Sequence, residues 1–140
     1  MSSDRTYTLT VTAEQLGMIS RACEVAARIS IGQVDAVAFH LLASLPSGQY
    51  SEVQDALETA QTLITGAPNV SGAPNDQMRD QHELAWSIHH AARHRLYLDQ
   101  CADDGRAPNR MTVMSDPPRP CGRHSPPAIA QAGISTGGPS

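Results

Sequence analysis

Tyr7-Thr8-Leu9-Thr10-Val11-Thr12 alternates apolar and hydroxyl side chains at a period of two, the pattern of a half-buried β-strand. The residues that follow change period. Thr12-Ala13-Glu14-Gln15 is a capping box, in which the Thr12 hydroxyl and the Gln15 side chain satisfy the amides that open a helix. Leu16, Ile19, Cys23 and Ala26/Ala27 then recur at helical spacing to about Ser30. Gly32 interrupts, and Val34, Val37, Ala38, Leu41 and Leu42 carry the period from Gln33 to Ser44, so two helices meet at a glycine or one bends there. Pro46-Ser47-Gly48 turns the chain. Ser51-Glu52-Val53-Gln54 repeats the cap signature for a third helix that runs to Gly66. After a polar loop from Ala67 to Asn75, Asp76 can cap a fourth helix from Gln77 to about Asp99, with Leu84, Ala85, Ile88, Ala92 and Leu96 as its inward stripe. Cys101 to Asn109 reads as loop. Arg110-Met111-Thr112-Val113-Met114-Ser115 reads as a short second strand that pairs with the first. The expected fold is α+β, with small N- and C-terminal strands pairing and about four helices.

The chain of 140 residues fits one domain, expected over residues 1–115. Six prolines and four glycines between Asp116 and Ser140 accompany only two large apolar residues, Ile129 and Ile134. Such a segment cannot offset the entropy of ordering it, so residues 116–140 are expected to be disordered. One Trp, one Phe and three Tyr leave the core to Leu, Ile, Val and Ala. That is a thin core, which association between copies would supplement.

A net charge of −4 and a pI near 5.8 argue against a face for duplex DNA, which needs a basic surface. Cys23, Cys101 and Cys121 show no CxxC spacing and suit a reduced, cytoplasmic protein. No secretory signal or membrane-spanning run is recognisable, so no membrane partner is expected.

All ten cationic side chains are arginine. Arginine keeps its charge and presents a planar fork of donors that matches phosphate, so Arg93-His94-Arg95 near the end of the fourth helix is a candidate anion site. Codon bias in a GC-rich genome would give the same absence of lysine. Ala27-Arg28-Ile29-Ser30-Ile31-Gly32-Gln33 sets another arginine beside a glycine and an amide, equally readable as a C-cap with a dipole-complementing charge. Asn69, Ser71 and Asn75 give the middle loop short polar groups suited to turns or to ligand hydroxyls.

His90 and His94, four apart on one helix face, have metal-ligand spacing. No Cys or acid completes a set, and His82-Glu83 lacks the second histidine of the zinc-protease signature. Neither a nucleophile elbow, a paired-carboxylate arrangement nor a glycine-rich phosphate loop occurs. No catalytic residue, metal or cofactor is therefore expected, and the chain is not expected to be an enzyme.

Taken together, the Thr-rich strand, the helix closing on Ala-Arg-Ile-Ser-Ile-Gly-Gln, the Pro-Asn-Val-Ser-Gly loop and the late Arg-His-Arg-Leu resemble the phage Thoeris anti-defence family. The resemblance covers residues 6 to about 116. It implies a homo-oligomer, expected as a hexamer, that captures glycocyclic ADP-ribose-type messengers between protomers without cleaving them, in the host cytoplasm. Some relatives also take cyclic oligonucleotides at a second site. Carried over, Arg28, Gly32 and Gln33 belong to the first-helix signature, Arg93 and Arg95 face the pyrophosphate, and Asn69 and Ser71 supply loop contacts. The family's aromatics in the first helix and middle loop are replaced by Ala26, Ala27 and Val70, which removes their stacking. The alternative is a small helical interaction protein, regulatory and without a nucleotide ligand.

Overall fold

The computed structural model describes residues 5–67 and 72–133. Four α-helices follow in order: α1 (Ala13–Ser30), α2 (Ala36–Leu41), α3 (Ser47–Thr65) and α4 (Asp76–Asp103). A single 3-10 turn, Val113–Ser115, comes after them. The protein is mostly helical, and among the described residues it has no strand. The α+β expectation is therefore corrected to an α-helical fold.

The reason lies in the segment expected to be the second strand. Asn109 Oδ1 accepts from the Met111 amide at 3.0 Å, and Thr112 Oγ1 accepts from the Met114 amide at 3.3 Å. The amides of Thr112 and Ser115 turn back on the carbonyls of Asn109 and Thr112. Four donors that a sheet would need are consumed locally, because short polar side chains compete with ladder pairing. The Tyr97 hydroxyl fixes this segment to α4 by accepting the Asn109 amide at 2.7 Å. Tyr7 to Val11 has no regular secondary structure and, among the described residues, no backbone hydrogen-bond partner, and Tyr7 and Leu9 are 84% and 73% exposed.

The helix boundaries follow from their caps. At α1, Thr12 Oγ1 accepts the Gln15 amide at 3.1 Å while Gln15 Oε1 accepts the Thr12 amide at 2.9 Å, the expected reciprocal box. The helix closes in a Schellman motif: the Gln33 amide reaches the Arg28 carbonyl and the Gly32 amide reaches that of Ile29. Gly32, at φ 84°, takes the left-handed position that such a motif needs. α3 begins at Ser47, four residues ahead of the Ser51 signature, because Pro46 already sets the chain for a helix start. It ends on Gly66 at φ 82°. Asn75, not Asp76, caps α4 by accepting the Met78 amide at 2.8 Å. α4 also runs past Asp99, so Cys101, expected in a loop, is buried in its last turn.

α1 and α4 pack antiparallel and make most of the tertiary structure. Ser20 meets His89, Ala27 meets His82, and Ser30 meets Gln81. Their seam is lined by small side chains, with Ser20, Ala27, Ser30, Ala85 and Ala92 all buried. Of the inward stripe expected on α4, Ala85 and Ala92 are buried, Ile88 and Leu96 only half-buried, and Leu84 exposed. Small residues let two helix backbones approach closely, and the larger aliphatics then fall to either side of the contact.

Residues from 116 onward were expected to stay unordered, yet Cys121 to His124 close a turn through one antiparallel β-bridge. That turn is held on α4 by Asp80. Arg123 donates to both Asp80 oxygens at 2.7 and 2.9 Å, and His124 Nε2 lies 2.9 Å from Oδ1. The Arg123 hydrogen bonds, reinforced by His124, hold the Asp80 carboxyl down at about 2. These charge-assisted hydrogen bonds fix where the turn sits on α4.

Candidate functional site

The last turn of α1 brings Glu24 and Arg28 to one face, since residues four apart stack on a helix. The Schellman turn then swings Gln33 back toward them. Arg28 Nη2 and Nε donate to Glu24 Oε1 at 2.9 and 3.2 Å, and Nη1 donates to Gln33 Oε1 at 3.1 Å. The guanidinium also lies over the Trp86 ring of α4, 5.8 Å from its centroid, where a cation is attracted by the ring face. Two further histidines approach the same carboxylate. His40 Nε2 of α2 is 3.5 Å from Glu24 Oε1, and His89 Nε2 of α4 is 3.7 Å from Oε2.

These groups open on a cleft of about 620 Å³ between α1, α2 and α3. Glu24, Arg28, Gln33 and His40 form its polar wall, Phe39 and Tyr50 bring two aromatic rings, and Asp35 adds a second carboxylate. Gln61, on the α3 side, contributes a buried side-chain amide oxygen, Oε1, that has no hydrogen-bond partner. Burial by itself raises the Glu24 carboxyl. The hydrogen bond from Arg28, joined by the imidazoles of His89 and His40 whenever they carry a proton, outweighs it, and the group lies below the ordinary glutamate value. Glu24 is therefore ionised at neutral pH.

Gly32 is next to this cleft but serves the scaffold. A Cβ at that position would stand 2.5 Å from Thr65 Cγ2, so the close approach it permits is that of α3 and not of a ligand. Arg28 and Gln33 are brought together as expected. Arg93 and Arg95, expected to meet the ligand across a seam between copies, do not line the cleft of the single chain. Arg93 lies seven residues along α4 from Trp86, the ring beneath Arg28, about 10 Å along the axis at 1.5 Å per residue, and one turn from His89, on which its charge acts. Arg95 is engaged by Asp99 one turn on, with its Nε buried and unpaired. Asn69 and Ser71 lie outside the described residues. The histidine pair expected to have metal spacing is separated by other contacts: His90 packs on Trp86, and His94 Nδ1 bonds the Met114 carbonyl at 3.0 Å. Among the described residues no three Cys, His, Asp or Glu side chains form a metal-binding group.

Sequence reasoning missed Glu24, His40, His89, Trp86 and the aromatic pair Phe39 and Tyr50. The Glu24–Arg28 spacing of four was a usable signal. The two histidines had none, because only the packing of α2 and α4 on α1 brings them to Glu24.

Ser20, His89 and Glu24 stand in line, which invites comparison with a nucleophilic triad. The hydrogen bonds of His89 favour a different arrangement. His89 Nδ1 lies 2.9 Å from the Ser20 carbonyl oxygen, an acceptor only, so Nδ1 carries the hydrogen and cannot take a proton from the Ser20 hydroxyl 3.0 Å away. Ser20 is also only 6% exposed. Burial pushes the thiols of Cys23 and Cys121 up from their ordinary value, which lowers their thiolate fraction. What the cleft offers is complementarity: a fork for an anion, carboxylates for hydroxyl donors, and rings for a flat group.

No helix is long and apolar enough to cross a membrane among the described residues. No protein family, curated protein or solved structure matches the chain.

Proposed function

We propose that this protein captures a cyclic nucleotide messenger of the glycocyclic ADP-ribose type, without turning it over, and so blocks a bacterial anti-phage defence from the host cytoplasm. The observation that carries this is the composition of the Arg28 cleft. One guanidinium, three amides, an imidazole, two carboxylates and the rings of Phe39 and Tyr50 face a space of about 620 Å³, which falls in the range of small-ligand sites. A nucleotide has a matching group for each: phosphate for Arg28, ribose hydroxyls for Glu24 and Asp35, and a base for Phe39 or Tyr50. The resemblance of the first-helix signature to phage Thoeris anti-defence proteins names the ligand class, and cyclic oligonucleotides are a second candidate class.

A homo-oligomer, with a hexamer as the expected form, belongs to the same proposal. α3 has no buried residue, and Leu63 near its C-terminus is 81% exposed. Arg93 and Arg95 do not line the Arg28 cleft, and in this proposal they meet the ligand from another copy. The same apolar exposure, together with Met111 and Val113, favours the alternative of a small interaction protein that binds no nucleotide.

Calorimetric titration with glycocyclic ADP-ribose, followed by heat denaturation and recovery of the ligand, tests the proposal. Stoichiometric capture with intact ligand is expected. Arg28→Ala should weaken it by about 10- to 150-fold, the equivalent of one charge-assisted hydrogen bond of roughly 1.5–3 kcal/mol. Recovery of linear ADP-ribose would point to an enzyme, and absence of heat would favour the interaction protein.

A further inference from the structure

His89 carries a buried ring nitrogen, Nε2, without a hydrogen-bond partner. Its ring is 3% exposed. Nδ1 donates to the Ser20 carbonyl oxygen at 2.9 Å, and the Ser20 hydroxyl is directed at the His89 carbonyl. In the neutral ring, Nε2 is therefore a bare lone pair. It is buried without a hydrogen-bond partner and faces Glu24 Oε2 across 3.7 Å. Two acceptors oppose each other, and one proton between them would turn that opposition into an ion pair.

What withholds the proton is the surrounding charge and the dryness of the seam. Burial is the largest influence and holds His89 below the ordinary histidine value. Glu24 and the Ser20 backbone favour protonation, while Arg93 and Arg28 oppose it. His90 on the same helix also lies close, its ring 5.8 Å from that of His89, and burial and Arg93 push it down in turn. From α2, His40 meets the other oxygen of Glu24. Arg28 thus has two effects on His89. It repels a proton directly, and it occupies the carboxylate that would compensate one.

We propose that anion capture in the Arg28 cleft is proton-linked, with His89 taking up one proton as the anion draws Arg28 away from Glu24. This rests on the proposal that the cleft receives a phosphate-bearing ligand. Before capture, Glu24 and Arg28 form one neutral pair and His89 is uncharged. Afterwards the anion pairs with Arg28, and Glu24 pairs with the His89 imidazolium. One proton enters from water, and no charge is left buried alone. The sign follows from linkage: the complex holds more protons than the free protein, so affinity rises as pH falls through the histidine range. The limit for one proton is about tenfold per pH unit. At higher pH His89 stays neutral in both states and the dependence disappears.

The full-length protein should be titrated at pH 7 with inorganic pyrophosphate and with glycocyclic ADP-ribose, in MOPS and in imidazole buffers, whose ionisation heats differ. The expected result is a buffer-dependent enthalpy equivalent to uptake of nearly one proton per site. His89→Asn, whose amide can still donate to the Ser20 carbonyl, should abolish the uptake, and His40→Gln should retain it. Nitrogen NMR of the histidine rings in the unsubstituted protein gives a readout free of any folding effect. His89 should pass from the neutral Nδ1–H pattern to imidazolium on saturation. Capture with equal heats in both buffers, a His89 ring already charged in the free protein, or uptake lost in His40→Gln alone would overturn the proton link while leaving the cleft proposal standing. No heat with either probe would overturn both.

Discussion

Gly32→Ala tests how the end of α1 is built and, with it, one wall of the cleft. The backbone at φ 84° is left-handed, which costs an alanine roughly 1–2 kcal/mol. The lower entropy of the unfolded alanine chain returns about 0.4–1 kcal/mol. The new methyl must also displace Thr65 Cγ2, 2.5 Å from its position. Thr65 cannot simply rotate, because its hydroxyl donates to the Gln61 carbonyl at 2.9 Å and lies 2.8 Å from the Ala67 carbonyl. Overpacking of this kind adds about 1–3 kcal/mol. The net expectation is a loss of about 2–3 kcal/mol in urea unfolding followed by circular dichroism. Thr65→Ser removes Cγ2 and keeps the hydroxyl, so the double substitution should recover about 1–2 kcal/mol relative to additivity. A Gly32→Ala protein within 0.3 kcal/mol of the parent by the same urea assay, against the roughly 2–3 kcal/mol expected, or a double substitution that is merely additive, would refute the packing of Thr65 against the turn that closes α1.

Tyr97→Phe should cost about 1 kcal/mol by the same assay, the worth of the hydrogen bond to the Asn109 amide, and hydrogen exchange at that amide should accelerate. Asp80→Asn should leave global stability nearly unchanged, since exposed ion pairs contribute little, yet speed tryptic cleavage after Arg123 several-fold. With the Asp80 carboxyl held at about 2, below its unfolded value, the attachment of the Cys121–His124 turn should persist through mild acid and fail only as pH falls toward that value. Release that is already complete at pH 4, measured by proteolysis with an acid-active protease, would contradict the Asp80 pairing.

The parts of this fold that could be read from sequence are those decided within one turn of chain. Thr12 to Gln15 specified its own cap, and Gly66 its own terminus. The Tyr7–Thr12 alternation has the period of a strand, but a strand exists only if another accepts its hydrogen bonds, and Asn109 and Thr112 had already committed those of the candidate partner. The hydrophobic stripe of α4 was misjudged for a related reason. Periodicity identifies a face, whereas the choice between Ala85 and Leu84 as the buried member depends on how near α1 comes. At the site, Arg28 and Gln33 were visible as neighbours in sequence. Glu24 could have been added from its spacing. His89 and His40 could not, because their meeting at one carboxylate is a product of three helices coming together. Arg93 and Arg95 attracted notice for their charge, yet charge along a helix says nothing of which end of a neighbour it will stand beside.

The seam of serines and alanines between α1 and α4 also sets where this protein can change during evolution. Ala27 and Ala92 have no exposed surface at all, so even one added methylene there must wedge two backbones apart. Half-buried Leu16, Ile19, Ile88 and Leu96 stand in looser surroundings and can be exchanged among aliphatics at small cost. Mutational tolerance should therefore run opposite to the usual pattern, with the smallest side chains the least replaceable and the bulkiest the most freely varied.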